Sequence, residues 1–395
     1  MKHTILNGDV ITCLRSLPDA CVQCVVTSPP YWGLRDYGVE GQIGLEPTPE
    51  EHVERMVEVF REVRRVLRDD GTLWLNYRDC YAASGRKDEN GCSNRSEFPE
   101  IPGRSPSGPL KPKDLVGMPW RIAFALQEDG WYLRSDIIWS KPNAMPESVT
   151  DRPTKSHEYV FLLSKRARYF YDADAVREAH CETSINRMKS PIGSPNCKDW
   201  GVSGEIVGVR SHLNSGKVVD PNPAGRNRRT VWEIATQPVP YAHFATFPEA
   251  LVEPCIKAGT SARGACPECG APWRRVVEKG GGTTGASWHD HSNDLVRGQV
   301  GPSSSAPRDY YRRDIGWQPS CTCGTEETVP CVVLDPFGGS GTVAKVARDL
   351  GRSSILIEIN PEYVQIAKKR LRIGEQLDSG VCEYVVKNFR TEAIS

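Results

Sequence analysis

The 395-residue chain has no excess of charge of either sign: 50 Lys and Arg stand against 50 Asp and Glu. That excludes a globally basic coat for nucleic acid, so any nucleic-acid partner has to be held by local patches. Lys165-Arg166-Ala167-Arg168 and Arg226-Asn227-Arg228-Arg229 are two such stretches, with an ordinary solvated surface as the alternative reading of each. Long apolar runs are missing too. VFLL at 160–163 and CVVL at 331–334 fall far short of the roughly 20 residues that span a bilayer, so no membrane association is expected. The opening MKHTILNGDV lacks the apolar stretch of a secretion signal, which places the expected location in the cytoplasm. Internal repeats are absent. The remaining composition, 38% hydrophobic and 25% charged, is that of a globular protein, long enough for one large α/β domain with insertions or for two domains.

The pattern along the chain is one of strands alternating with helices. HTILNGD and CVQCVV read as strands, the second running into TSPPYW. Residues 49–68 carry Val53, Met56, Val57, Phe60, Val63 and Leu67 at a helical period, with acidic residues first and basic ones last; Asp70-Gly71 is expected to end the helix before the strand TLWLNY. A helix over 116–130, strands WYLRSDIIW and HEYVFLL, and a proline-interrupted helix PEALVEPCIKA follow. CVVLDPFGGSGTVAKVARDLG is strand, glycine turn and helix, and SSILIEINPEYVQIAKKRL repeats strand and helix. Such alternation predicts a mostly parallel α/β sheet. Residues 82–114, 172–230 and 278–316 are polar, Gly-, Pro- or Ser-rich and lack clear periodicity, and the first of these is expected to be a mobile surface loop.

The turn DPFGGSGT at 335–342 joins an apolar strand to a helix N-terminus, and Glu358 ends the next strand, ILIE. Glycines let the backbone pass close to a ligand, and an acidic side chain at that position can take both hydroxyls of a ribose. A nucleoside-containing cofactor is therefore expected. GGSGT is not the dinucleotide pattern G-x-G-x-x-G, and an aspartate leading the turn would repel a pyrophosphate. S-adenosylmethionine carries no phosphate and offers an ammonium group to which an aspartate can hydrogen-bond.

TSPPY also ends a buried strand, and sites in open parallel sheets form at the carboxyl ends of strands, so both motifs point to one edge. Two prolines fix φ and remove two N–H donors. What is left is acceptor chemistry: the Ser28 hydroxyl and the carbonyls of Ser28 and Pro29. An exocyclic amine of a nucleobase is a poor nucleophile because its lone pair is delocalised. Acceptors gripping its hydrogens draw the nitrogen towards a tetrahedral shape, from which the lone pair can attack a methyl sulfonium. Tyr31 can stack on a base, which has to leave the duplex to be reached.

The chain resembles the amino-methyltransferases of DNA, which modify cytosine N4 or adenine N6 with S-adenosylmethionine. Their catalytic motif D/N/S-P-P-Y/F/W is matched by Ser28-Pro29-Pro30-Tyr31, and their cofactor motif D-P-F-x-G-S-G-T by Asp335-Pro336-Phe337-Gly338-Gly339-Ser340-Gly341-Thr342. Catalytic motif first and cofactor motif last is similar to the permuted beta arrangement. The resemblance implies a Rossmann-like methyltransferase fold, an α/β sheet with helices on both faces. It implies Ser28, Pro29, Pro30 and Tyr31 as catalytic residues, and Asp9, Phe247, Asp335, Phe337, Gly339, Gly341, Thr342 and Glu358 as cofactor-binding ones. Gly8-Asp9 is similar to the adenine-contacting pair, and residues 242–259 to the segment closing over the methionine end, with Phe247 as contact. Trp139, Lys141 and Asn143 resemble a segment near the base pocket. Serine in the first motif position is commonest among the cytosine-N4 enzymes, which makes cytosine the expected target and adenine N6 the alternative. Double-stranded DNA is the implied substrate partner, and a restriction endonuclease of the same system an implied second one. A catalytically inactive, zinc-dependent DNA-binding module is the non-enzymatic alternative; intact Ser28, Tyr31 and Asp335 argue against it.

Fourteen cysteines in an intracellular chain read as thiols or metal ligands. Cytosine-C5 chemistry would need a cysteine nucleophile, but Pro254-Cys255 and Pro330-Cys331 lie in apolar segments and read as core. CPECG and CTCG bring Cys266, Cys269, Cys321 and Cys323 as two knuckle-like pairs suited to a structural Zn²⁺, since four thiolates leave no open position. The 51 residues between the pairs have little core of their own, and a metal would supply folding energy. The expected organisation is a catalytic part over 1–171, a variable target-recognition region over 172–230, a cofactor-closing segment over 231–260, a zinc-ribbon-like insertion over 261–328 and a cofactor-binding part over 329–395.

Overall fold

The computed structural model describes residues 1–82, 110–183, 185, 224–237, 247–280, 311–373 and 382–389. The expected mobile loop, most of the target-recognition region and the middle of the insertion lie largely outside these. The chain divides into two compact units: Met1–Ala175 with Arg229–Trp273 and Pro319–Ser395, and Val176–Arg228 with Arg274–Gln318.

In the first unit, nine strands of the described residues form one sheet: β1 (Lys2–Asn7), β2 (Val22–Thr27), β3 (Leu67–Tyr77), β4 (Tyr132–Ser140), β5 (His157–Ser164), β6 (Val231–Glu233), and three later ones. These three are Val332–Asp335, Ser353–Glu358 and Glu383–Asn388; they are named β9, β10 and β11 because the second unit contributes β7 (Arg274–Gly280) and β8 (Tyr311–Gln318). The spatial order is β11-β1-β10-β9-β2-β3-β5-β4-β6. All neighbours are parallel except β5, which runs antiparallel to both β3 and β4. The sheet is thus mostly parallel, as the alternation predicts. In the second unit β7 and β8 form an antiparallel pair, which the low apolar content of 278–316 did not suggest.

Helices α1 (Val10–Arg15), α2 (Pro49–Val66), α3 (Met118–Glu128), α4 (Glu249–Gly259), α5 (Thr342–Asp349) and α6 (Pro361–Arg370) belong to the first unit. Helix α2 shows why these segments fold as they do. The Thr48 hydroxyl accepts from Glu51 N at 3.2 Å, Pro49 starts the helix, and Glu50, Glu51, Arg64 and Arg65 complement its dipole. Its inner stripe of Met56, Val59, Phe60, Val63 and Val66 is buried against the sheet. Asp70-Gly71 does not end it. The chain passes from Val66 straight into β3, and Asp70-Gly71 lies inside that strand, because Leu67 is already buried and paired with Val22. Pro254 does not break α4 either. No helix among the described residues is long and apolar enough to cross a membrane.

Two consequences position the site. The parallel strands β1, β2, β3, β9 and β10 end at one edge with Asn7, Thr27, Tyr77, Asp335 and Glu358. Because β5 is reversed, its first residues reach the same edge: Glu158 lies opposite Trp139, and Val160 opposite Asn76.

Candidate active site

Along that edge runs a cavity of about 620 Å³. Its wall includes Asp9, Ser28, Pro29, Pro30, Tyr31, Phe247, Phe337, Gly339, Thr342 and Glu358, so both motifs open into one space. Trp139, Lys141 and Asn143 line it too. Asp335 and Gly341 are not in the wall. Asp335 is 2% exposed beneath the turn, where its Oδ1 accepts from Thr27 Oγ1 at 2.7 Å and from Phe337 N at 3.1 Å. It therefore shapes the turn from below, and burial pushes its carboxyl up to about 7 against the opposing effect of those two donors. Gly341 is the N-cap of α5.

At the cofactor-motif end the turn is tied to the sheet by backbone. Gly338 N donates to Ile357 O at 2.8 Å, and Gly339 N to Glu358 Oε2 at 2.8 Å. Asn360 N donates to the other oxygen of Glu358, Oε1, at 2.7 Å. Only glycine fits at 338, where a Cβ would lie 2.2 Å from Leu356 Cγ. The Arg370 guanidinium donates to Ser340 O, Ser340 Oγ and Thr342 Oγ1, and so braces the turn from α6. Burial pushes the Glu358 carboxyl up to about 7, although three backbone N–H groups favour its charged form. Asp9 caps α1, accepting from Thr12 N at 2.9 Å.

At the other end the Ser28 Oγ and Tyr31 hydroxyl are 3.0 Å apart. The Tyr31 hydroxyl also lies 3.0 Å from Glu158 Oε2 and 3.1 Å from Asn76 Oδ1. Glu158 Oε2 further accepts from Asn76 Nδ2 at 3.2 Å, and its Oε1 pairs with the Lys141 ammonium, which rests 4.2 Å from the Trp139 ring centroid. Burial and the Glu158 charge hold the Tyr31 phenol well above its ordinary range, so it remains protonated. The loop is supported from behind. Glu46 Oε2 lies 2.7 Å from His52 Nδ1, His52 Nε2 lies 2.7 Å from the Tyr77 hydroxyl, and that hydroxyl accepts from Trp32 N at 2.9 Å. The Tyr31 and Tyr77 rings meet at 4.8 Å.

Asn76 and Glu158 were missed in the sequence. Asn76 had a signal, a polar residue at the carboxyl end of an apolar strand. Glu158 had none, since it opens its strand and reaches the site only because β5 is reversed. Cys255 and Cys331 are buried away from the cavity wall and bond to carbonyls of Leu251 and Ser261, which fits their reading as core. In the charged stretches, Lys165 and Arg166 pair with Asp69, and Arg226 with Glu178.

Cys266, Cys269, Cys321 and Cys323 come together: their sulfurs all lie within 4.8 Å of one another. All four belong to the first unit, whereas the β7–β8 pair between them belongs to the second.

Comparison with known proteins finds relatives along most of the chain. The Type II methyltransferase M.Cfr9I of Citrobacter freundii is 40% identical over 376 residues, 93% of this chain and 87% of that protein. M.SmaI of Serratia marcescens is 38% identical over 371 residues, covering 93% and 90%. Among solved structures, the cytosine-N4-specific PvuII DNA methyltransferase aligns with 16% identity and a TM-score of 0.49 over 96% of this chain and 89% of that one. The DNA methylase family pattern matches residues 22–266 and 330–369, which take in the Ser-Pro-Pro-Tyr loop, the glycine turn and Glu358. With both motifs on one cavity and that match over most of its length, the chain belongs to the DNA methylase family.

Proposed function

We propose that the protein transfers a methyl group from S-adenosylmethionine to the exocyclic N4 amine of a cytosine turned out of double-stranded DNA. The observation that carries this is the single cavity with hydroxyl acceptor chemistry at Ser28 and a nucleoside-type cradle at Glu358 and the glycine turn. When bound, S-adenosylmethionine supplies an electrophilic methyl on a sulfonium. The cradle suits it: Glu358 retains lone pairs for ribose hydroxyls beyond the backbone N–H groups it accepts, and Phe247 and Phe337 give apolar walls.

The hydrogen bonds define what Ser28 can do. A carboxylate only accepts, so the Tyr31 hydroxyl donates to Glu158, and the charge makes this the strongest of its options. Its oxygen is then an acceptor for Ser28 Oγ–H. With its proton turned inward, Ser28 presents lone pairs to the cavity and can take an amine hydrogen. Prolines 29 and 30 add no competing donors. Tyr31 and Trp139 offer aromatic surface for an unstacked base. Serine at the first motif position supports cytosine N4. A Type II system supports a restriction endonuclease as the functional counterpart. The four cysteines support one structural zinc, since tetrahedral Zn–S bonds place sulfurs about 3.8 Å apart.

The test is nucleoside mass spectrometry of unmethylated DNA after incubation with enzyme and S-adenosylmethionine. N4-methylcytosine is expected. N6-methyladenine would overturn the base assignment and keep the site, and neither product would overturn the reaction.

A further inference from the structure

The zinc site proposed above lies beside the root of the cofactor strand, and the hydrogen bonds between them are specific. The knuckle is closed by Gly270 N donating to Cys266 O at 2.9 Å and Cys266 N to Ala271 O at 2.9 Å. Ala265, just before the first cysteine, exchanges two backbone bonds of 2.8 Å with Val329, three residues before β9 begins. The buried Gln23 side chain of β2 then joins the knuckle to β9 itself. Its Nε2 donates to Gly270 O at 3.0 Å, and its Oε1 accepts from Val332 N at 2.7 Å. Arg68 of β3 donates to Cys269 O, and Ser320 Oγ, before the second pair, donates to Pro272 O at 2.6 Å. Gly270 is left-handed at φ +70°, and a Cβ there would press on Arg68 and Gln23, so the knuckle sits tight against the ends of β2 and β3.

Four residues of β9, about 10 Å of strand, lead from Val332 to Asp335 and the glycine turn. We infer that the metal at Cys266, Cys269, Cys321 and Cys323 is the anchor of the cofactor strand: it holds the knuckle that, through Ala265 and Gln23, fixes where β9 delivers the turn. This rests on the zinc reading. The role is positional, since the cysteines lie outside the cavity wall. Without the ion, the two cysteine pairs lose the centre they share, and the Gln23 bridge loses a rigid partner.

The experiment uses the full chain purified from zinc-supplemented culture. Metal content is measured by mass spectrometry, S-adenosylmethionine affinity by calorimetry, and amide exchange over 329–335 by hydrogen–deuterium exchange. Three samples are compared: wild type, chelator-treated wild type and Gln23→Met, which keeps side-chain volume but removes both bonds. One zinc per chain is expected in wild type and in Gln23→Met. Exchange over 329–335 should speed up, and cofactor affinity fall roughly tenfold, both in the stripped protein and in Gln23→Met. If Gln23→Met retains zinc with unchanged exchange and affinity, the anchor inference is overturned and the zinc reading stands. If wild type carries no zinc, the metal reading falls and the anchor with it. Exchange reports on the anchor even if the wild-type chain binds a different cofactor.

Discussion

Glu158→Gln tests the direction of the hydrogen bonds on which the acceptor role of Ser28 depends. The Lys141 and Glu158 side chains are 15% and 7% exposed. Lys141 has only donors, so a glutamine at 158 turns its carbonyl towards Lys141 and its NH₂ towards Tyr31 and Asn76. Tyr31 then receives a hydrogen bond where it had donated one, and its proton is shared between Ser28 Oγ at 3.0 Å and Asn76 Oδ1 at 3.1 Å. Ser28 loses the fixed inward proton and with it the fixed lone pair facing the amine. A hydrogen bond to a charged group is worth about 1.5–3 kcal/mol, which corresponds to a fall in kcat of roughly 10- to 150-fold. Weakening this largely buried ion pair adds a stability cost, to be read separately from thermal melting. S-adenosylmethionine affinity should be unchanged, because Glu358 and the glycine turn have no hydrogen bond to Glu158. The assay is single-turnover methyl transfer to a DNA duplex beside cofactor binding by calorimetry. Tyr31→Phe, which removes the linking hydroxyl and leaves the ring, should lower kcat in the same way. Wild-type turnover by a folded Glu158→Gln would refute the reasoning.

Three further perturbations act on the cofactor end. Asp335 and Glu358 are both raised to about 7 by burial, so folding without cofactor takes up protons between the ordinary carboxylate range and pH 7. The stability this contributes is complete below about pH 4 and is lost as pH rises to about 7; thermal melts of the cofactor-free protein should therefore show a higher Tm at pH 5.5 than at pH 7.5. Cofactor affinity should move the other way, strengthening from pH 6 to pH 8 as Glu358 becomes an acceptor for ribose hydroxyls, and Glu358→Gln should flatten that profile. Gly338→Ala places a methyl 2.2 Å from Leu356 Cγ and should cost about 1–3 kcal/mol, seen as a lowered Tm and weaker cofactor binding.

Local chemistry was legible in the sequence wherever a motif carries its own geometry. The glycine turn follows an apolar strand and opens a helix, which is how β9 and α5 stand. The period of α2 was readable because its buried stripe repeats every turn, but its end was not. Leu67 continues the apolar pattern in either conformation, and pairing with β2 decides that it belongs to β3. The strand β11 is half-exposed and bordered by charge, so nothing in its residues announced that it would pair with β1 at the sheet edge.

The sequence by itself determined the reaction class, because the residues that suit amine methylation and nucleoside binding are contiguous within each motif: Ser28 to Tyr31, and Asp335 to Thr342. Their meeting in one cavity follows from parallel strands ending at one edge, which alternation of strand and helix already implies. Only the tertiary structure decided which partners set the protons of that cavity. Asn76, Lys141 and Glu158 are far apart in the chain, and the reversal of β5 that brings Glu158 to the edge is a property of strand pairing across the sheet. It likewise decided that Asp335 supports the turn from beneath, because a carboxylate at the end of a buried strand can point into the fold as readily as out of it, and Thr27 on the neighbouring strand supplies the donor that turns it inward.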